Sequence, residues 1–411
     1  MNADYRLFLR MTLPLAALNL INQASRTVMA IIGPVLAVEL SLSASELGLL
    51  AACMFAAYAA AQLPVGVALD LLGPRRVQAA FSLVAAAGFA VFALSDALPG
   101  LALARVILGV GVSAGLMAVL KANTQWFPPA KVAHTTGIAV AVGSLGSVLT
   151  TVPVEAALPA LGWRGVFWLL CAMSVAVAAW IFVSVRDKPG KAMGLGLKAQ
   201  VLVMLSICSS RRFWRYGPAV AMLSIPNFAY LGLWAGPWLR DVAGYDGQAR
   251  ASTLLLYTLS IMAGAVLIGA ASSRAQTRGY PAILVPVVCN AGLLAAQIGL
   301  ALQPASVTAV TALWVLFAFF AAGAASGYVA VGQMFPAEQV GRVATAVNTL
   351  TLGGAFLLQA AIGWTLDLWP RTAAGGWDPQ GYSAALVLSA AIQLFVAARL
   401  SSWTTPWRQR S

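Results

Sequence analysis

A chain of 411 residues is long enough for two or three soluble domains. Yet 61% of it is hydrophobic and only 9% charged, against about 25% charged in a soluble domain, which excludes the soluble, disordered, collagen-like and disulfide-framework classes. The net charge of +13 raises the question of an anionic or nucleic-acid partner, but the cations are scattered over short connectors and gathered on no soluble domain, so no nucleic acid is expected.

Twelve membrane helices of about 20 residues need about 240 apolar residues, close to the roughly 250 present. The hydropathy pattern predicts twelve spans, over approximately residues 11–37, 46–69, 76–95, 99–122, 133–156, 165–186, 213–239, 250–272, 280–302, 306–330, 341–366 and 381–402. In span 1, Asp4, Arg6 and Arg10 precede an apolar stretch too long for a cleavable signal, and it is expected to be retained. Asn19, Asn22 and Arg26 follow at helical spacing and share one face. A cation at the bilayer centre costs about 2.5–3.5 kcal/mol on insertion scales, so Arg26 requires a cavity or a partner.

The acids are elsewhere. Asp4, Asp187 and Glu338 fall in inner segments and Asp70 ends span 2. Glu39, Glu46, Asp96, Glu155, Asp241, Asp246, Asp367 and Asp378 fall in or near outer connectors, with Glu155 the deepest candidate. No carboxylate is expected at mid-depth. Because an uncompensated buried cation is expensive, an anionic substrate is the natural counter-ion. The alternative is an arginine bound to neighbouring carbonyls that holds the bundle together.

Further along, Tyr58 and Gln62 stand four apart in span 2, and Arg105 lies about two turns into span 4 from its outer end. Lys121 closes span 4 and is read as an interfacial anchor. The one charge-rich, non-spanning stretch runs from Arg186 to Arg215. It divides the chain into a six-helix bundle (1–187), a linker (188–212) whose residues 197–207 are apolar enough for an interfacial helix, and a second bundle (213–411). In span 7, Asn227, Tyr230, Trp234 and Trp238 share a face between Pro226 and Pro237. Aromatics with polar tips suit the apolar part of a ligand and still offer a hydrogen bond. Tyr257 in span 8, Tyr328 in span 10, and Asn348 and Gln359 in span 11 are further lining candidates, each equally able to bridge helices.

Two echoes link the halves. Gln125-Trp126-Phe127-Pro128-Pro129-Ala130-Lys131 is answered by Gln333-Met334-Phe335-Pro336-Ala337-Glu338-Gln339, and Gly66-Val67-Ala68-Leu69-Asp70 more faintly by Gly269-Ala270-Ala271-Ser272-Ser273 before Arg274. A six-plus-six repeat is a usual construction of secondary transporters.

Between spans 2 and 3 the chain reads Gly66 to Asp70, then Leu71-Leu72-Gly73-Pro74-Arg75-Arg76. This resembles the signature loop of the major facilitator superfamily, and Arg105 with Gly109 and Gly111 resembles that superfamily's span 4 motif; Gly162-Trp163-Arg164 is also typical of it. The resemblance implies an all-α membrane fold of two pseudo-symmetric six-helix bundles, an inner gate latch at Asp70, Arg75 and Arg76 with Arg274 as its weaker counterpart, and a coupling role for Arg105, for which a bond to helix-end carbonyls is the equal alternative; Glu155 is a coupling candidate by its depth alone. Leu71 and Ser273 depart from the family's basic and acidic positions. The Gly-Pro motif of drug/proton antiporters is absent from span 5, where Gly143-Ser144-Leu145-Gly146-Ser147 stands. Span 1 is similar to the Asn-rich, Arg-bearing first helix of organic-anion symporters, with Ser25 where those carry an acid.

Other chemistry finds no residues to carry it. Cys53, Cys171, Cys208 and Cys289 stand singly and His134 is the one histidine, so no metal, cofactor or Ser-His-Asp triad is expected, and no phosphate-cradling Gly-Lys-Ser/Thr loop exists for ATP. Most of the 25 Lys and Arg fall beside the segments on the N-terminal side of the membrane, so both termini are expected in the cytoplasm, in a bacterial inner membrane. The expectation is a monomeric secondary transporter of a small organic anion, driven by proton symport or anion exchange. The rivals are an efflux carrier for hydrophobic metabolites or drugs and, more remotely, a membrane-embedded enzyme or receptor.

Overall fold

The computed structural model describes residues 6–187, 202, 205–336, 339–372 and 375–401. Residues 197–207, expected to form an interfacial helix, lie largely outside this set.

The described chain is almost entirely helical, with one isolated bridge between Arg371 and Trp377. Span 1 is the helix Leu13–Glu39, preceded by a π-helical turn at Phe8–Thr12. Spans 2 and 3 follow one another over Ala44–Leu94, two helices joined at Gly73. A straight helix of these 51 residues would be about 77 Å long, far beyond a hydrocarbon core of about 30 Å. Gly73 resolves the excess: its φ of 82° is open to glycine at little steric cost, and there the chain turns back across the bilayer. Span 4 comprises Leu98–Val112 and Gly115–Trp126.

Span 5 departs from the single helix the hydropathy predicts. It runs over Pro129–Leu149, breaks at Thr150 and Thr151, and resumes at Val152 in a run that reaches Ser184 and turns into span 6 at Gly162. The break has a local cause. The Thr150 hydroxyl contacts the carbonyls of Gly146 and Ser147, and that of Thr151 contacts Val148, while Pro153 has no N–H to give the helix.

Span 7 is segmented as well, into Arg211–Ala229, a π-helical turn at Tyr230–Trp234, and Ala235–Asp241. The remaining spans are Gly247–Thr277, Leu284–Ala301, Val307–Ala321 with Ala324–Gly332, Val340–Leu366 and Pro379–Ser401.

Burial sorts these helices. In spans 1 and 7 the most apolar windows are 83% and 78% buried, against 33% in both Val152–Ser184 and Gly247–Thr277, so spans 1 and 7 line the centre and the others show a face to lipid. The two halves meet through spans 1 and 7, 2 and 11, and 5 and 8. The hydrogen bonds and ion pairs between them cluster at the end opposite the N-terminus, called distal below. There Asp367 accepts the amides of Ala44 and Ser45 at 2.9 and 2.8 Å, the first N–H groups of span 2, where a carboxylate complements the helix dipole. Arg371 donates to Leu42 O and Arg240 to Pro34 O. Gly363 permits the approach, since a Cβ there would lie 2.5 Å from the Ala44 carbonyl oxygen.

The proximal end carries Asp70, Lys121, Arg75 and Asp187. Lys121 Nζ reaches Asp70 Oδ1 at 2.6 Å and Leu69 O at 2.7 Å.

Candidate functional site

A cavity of about 150 Å³ opens between the halves at mid-span. Span 1 contributes Gln23, Arg26 and Thr27, span 2 Phe55, and span 5 Ser144 and Ser147. From the second half come Asn227, Phe228, Leu231 and Gly232 of span 7 and Thr258, Ile261 and Met262 of span 8. One wall is therefore polar and the other mostly apolar, the usual make-up of a small-molecule site.

Arg26 is the charge in this cavity. Its Nε donates to Asn22 Oδ1 at 3.0 Å, and Asn22 in turn donates to Asn19 Oδ1 at 3.4 Å. The three residues thus form a ladder on one helical face. The guanidinium carbon lies 4.8 Å from the Tyr58 ring centroid, 4.9 Å from that of Phe228 and 5.7 Å from that of Phe55. Phe55 and Phe228 are themselves stacked at 5.7 Å and 17°. Three ring faces partly compensate the cation, each contact contributing about 0.5–2 kcal/mol. Among the described residues no carboxylate lies within 4.0 Å of Arg26. The edges of the guanidinium are the part suited to two parallel hydrogen bonds from a carboxylate.

Arg105 is fully buried and faces away from the cavity into the first half, donating from Nη1 to Ser25 O at 2.9 Å and from Nε to Leu50 O at 3.4 Å. It ties spans 1, 2 and 4 together immediately beside Arg26. Glu155 sits at the distal end of span 5 and meets Arg250 of span 8 at 3.2 Å. This is an ion pair between the halves, with only 8% and 21% of the Arg250 and Glu155 side chains exposed.

Several expected lining residues do not line the cavity. Tyr230, Trp234 and Tyr257 are fully buried. Tyr230 and Tyr257 pack on Trp314 and Phe317 within the second half, and Trp234 donates to Gln359 O at 3.2 Å. The cavity face of span 7 is instead Asn227, Phe228, Leu231 and Gly232, at i, i+1, i+4 and i+5, which puts Tyr230 off that face on the flank toward the second half. Asn227 alone of the expected face reaches the cavity, and the Tyr257 hydroxyl donates to its Oδ1 at 3.0 Å. Gln359 is buried and spends its amide on the Phe228 and Ala229 carbonyls at 3.5 and 3.4 Å. Tyr328 meets the Thr351 hydroxyl at 3.3 Å and stands close enough to Arg26 for the two to interact electrostatically. Gln62 is buried and Asn348 half-buried, neither among the lining residues.

The expected grouping of Asp70 with Arg75 and Arg76 is also corrected. The partner of Asp70 is Lys121, expected only as an anchor at the interface. Arg75 turns instead to Asp187, through its amide at 2.9 Å, and to Phe182, whose carbonyl accepts from Nε at 2.9 Å and whose ring lies 4.5 Å away. Gly73 leaves room for that carboxylate, since a Cβ there would lie 2.7 Å from Asp187 Oδ1. Arg76 and Arg274 are exposed at the proximal end.

The sequence reading missed Gln23, Thr27, Ser144, Ser147, Phe55, Phe228, Thr258 and Arg250. Ser144 and Ser147 carried a legible signal, two hydroxyls at helical spacing in a glycine-rich span.

A profile of the Major Facilitator Superfamily matches residues 15–358. The chain belongs to the major facilitator superfamily. Its helical fold agrees with that membership, with ten helices among the described residues long and apolar enough to cross a membrane. It is 28% identical over 166 residues to a probable sulfoacetate transporter of Cupriavidus necator (40% of this chain, 39% of that one). Over 179 residues it is 28% identical to a galacturonate transporter of Dickeya chrysanthemi (43% and 52%). Over 158 residues it is 30% identical to a hexuronate transporter of Escherichia coli K12 (38% and 37%). The matches thus span about half or less of these relatives' lengths. Among solved structures, a bacterial homologue of the human lysosomal transporter Spinster, inward-facing and occupied, superposes with a TM-score of 0.76 at 19% identity, over 98% of this chain and 97% of that one. A D-xylose–proton symporter gives 0.69 at 14%, over 95% and 97%. These two likenesses concern the fold.

Proposed function

We propose that this transporter carries a small organic anion, a carboxylate with an apolar or CH-rich body, by alternating access, and that Arg26 is the anion's counter-charge. The observation that carries this reading is a guanidinium at mid-span, open to a cavity between the halves and held there by an asparagine and three rings, with no carboxylate partner among the described residues. Binding in a cavity of low dielectric strengthens that pairing. The polar wall of Gln23, Thr27, Ser144 and Ser147 supplies hydroxyl and amide partners for further oxygens of the ligand. Sulfoacetate, galacturonate and hexuronate, named for the relatives, are all small organic anions.

With the N-terminus in the cytoplasm, the distal end is the outer one and the structure is closed to the outside. The cycle then opens this end by separating span 2 from span 11 and span 5 from span 8, while the proximal end closes. Moving a monoanion inward against an inside-negative potential costs about 2.3 kcal/mol per 100 mV, so uptake requires proton symport or exchange for another anion. Asp70, paired with Lys121 within its own half at the proximal end, serves as a gate element and does not contact ligand.

The test compares galacturonate, sulfoacetate and benzoate with their amides, by thermal shift and by counterflow in proteoliposomes, on the native protein and on Arg26→Ala and Arg26→Lys. Losing one partner of a buried charge contact costs about 2–5 kcal/mol, so affinity for the preferred acid falls at least about tenfold in Arg26→Ala. Arg26→Lys retains little, because a point charge cannot replace the fork, and the amides lose far less. Equal losses for acid and amide, with a destabilised ligand-free protein, would overturn the reading in favour of efflux of hydrophobic molecules.

A further inference from the structure

The three rings around Arg26 do not belong to one rigid unit. Phe55 and Tyr58 stand on span 2 and move with the half that carries Arg26; Phe228 stands on span 7, in the other half. Its ring centroid lies 4.9 Å from the guanidinium carbon, and it stacks on Phe55 at 5.7 Å. Phe228 follows Pro226 by two residues and precedes the π-helical turn Tyr230–Trp234. Proline and π-turns are where a helix bends most readily, so this ring is mounted on the part of span 7 best able to swing.

We propose that Phe228 transmits the presence of the anion to the second half: its ring staples the empty carrier shut at the distal end, and the anion loosens the staple by neutralising the charge on which the ring rests. This builds on the reading of Arg26 as the counter-charge. The geometry allows both contacts at once, because a carboxylate takes the edges of the guanidinium and the rings take its faces. The attraction between ring and cation depends on net positive charge, so a bound anion weakens it without displacing Phe228. Linkage then fixes the sign. A contact that binding weakens must lower anion affinity by the same factor, and a neutral ligand in the same place leaves the staple intact. Selection for anions therefore acts on the conformational step as well as on binding, since a ligand shifts an equilibrium only by its differential interaction with the two states.

Replacing Phe228 with 3,4,5-trifluorophenylalanine nearly keeps the ring's size and withdraws electron density from its face, which weakens its contact with the Arg26 cation but not its stack on Phe55. Spin labels at Ala97→Cys and Ala305→Cys, exposed in distal connectors of opposite halves, report the distal-open fraction by pulsed EPR. In the anion-free carrier the open-to-closed ratio should rise about threefold on fluorination, and the rise should vanish in an Arg26→Ala background. Galacturonate should bind the fluorinated carrier about threefold tighter, with galacturonamide unchanged. An open fraction that does not move on fluorination, or moves equally without Arg26, overturns the staple. An open fraction that shifts as expected while galacturonate gains nothing over galacturonamide overturns the anion reading on which the proposal rests.

Discussion

Removing the charge of Glu155 should open the distal end. Its Oε2 lies 3.2 Å from Arg250 Nη2 across the halves, and 8% of the Arg250 side chain and 21% of the Glu155 side chain are exposed. Two unit charges about 4 Å apart at an effective dielectric of about 20 attract by about 4 kcal/mol. Partial exposure of Glu155 and the desolvation of both groups take back part of that. Glutamine keeps one acceptor but leaves Arg250 buried without a counter-charge, so the closed state loses about 2 kcal/mol, a shift of about 30-fold in the open-to-closed ratio. The open state, in which both groups are hydrated, loses little. Spin labels at Ala97→Cys and Ala305→Cys should show the longer distance gaining population in Glu155→Gln and in Arg250→Gln. The double variant should show less than the sum of the two, because the pair acts as a unit. A distance distribution that neither single variant moves would refute the reasoning.

At the proximal end, Asp70→Asn should slow transport while ligand affinity stays within a few-fold, because the Asp70–Lys121 pair biases conformation and touches no ligand; loss of binding in a folded protein would place Asp70 in the site instead. The Gln297–Ser389–Gln393 network is fully buried, with Ser389 donating to Gln297 at 2.6 Å and Gln393 reaching Asn290 O at 2.9 Å. Gln297→Leu leaves its partners unsatisfied at a cost of about 1–3 kcal/mol, so the melting temperature should fall with transport per folded molecule unchanged; a transport defect without destabilisation would contradict a purely structural role. For topology, a cysteine at Ala305 should react with an impermeant reagent from outside and one at Thr277 from inside only; the reverse pattern would invert the assignment of the ends.

The fold was legible because the bilayer imposes a length and a polarity on every span, and twelve apolar runs divided by one charged linker leave few arrangements. The Asn19–Asn22–Arg26 ladder was legible for a related reason: polar residues at helical spacing inside an apolar run have no use for lipid. Span 7 misled. Its polar and aromatic residues suggest the inward face, whereas the cavity takes Asn227, Phe228, Leu231 and Gly232; Tyr230 packs into the second half and Trp234 into the seam against Gly48 of span 2. Thr27, Phe55, Phe228 and Thr258 went unseen because nothing local distinguishes a threonine or phenylalanine facing a cavity from one facing a neighbouring helix. Arg250 was hidden by its place at an outer helix end, where cations are common. Its pairing with Glu155 depends on two spans from different halves, a relation that periodicity along one chain segment does not encode.

The most direct test of the central claim is a structure of the carrier with its preferred acid bound. The account predicts a carboxylate on the edges of the Arg26 guanidinium, with oxygens about 2.8 Å from its nitrogens, and Asn22 and the three rings still in place around the cation. A ligand seated elsewhere in the cavity, with its acid group away from an Arg26 that still rests on Phe55, Tyr58 and Phe228 alone, would contradict it.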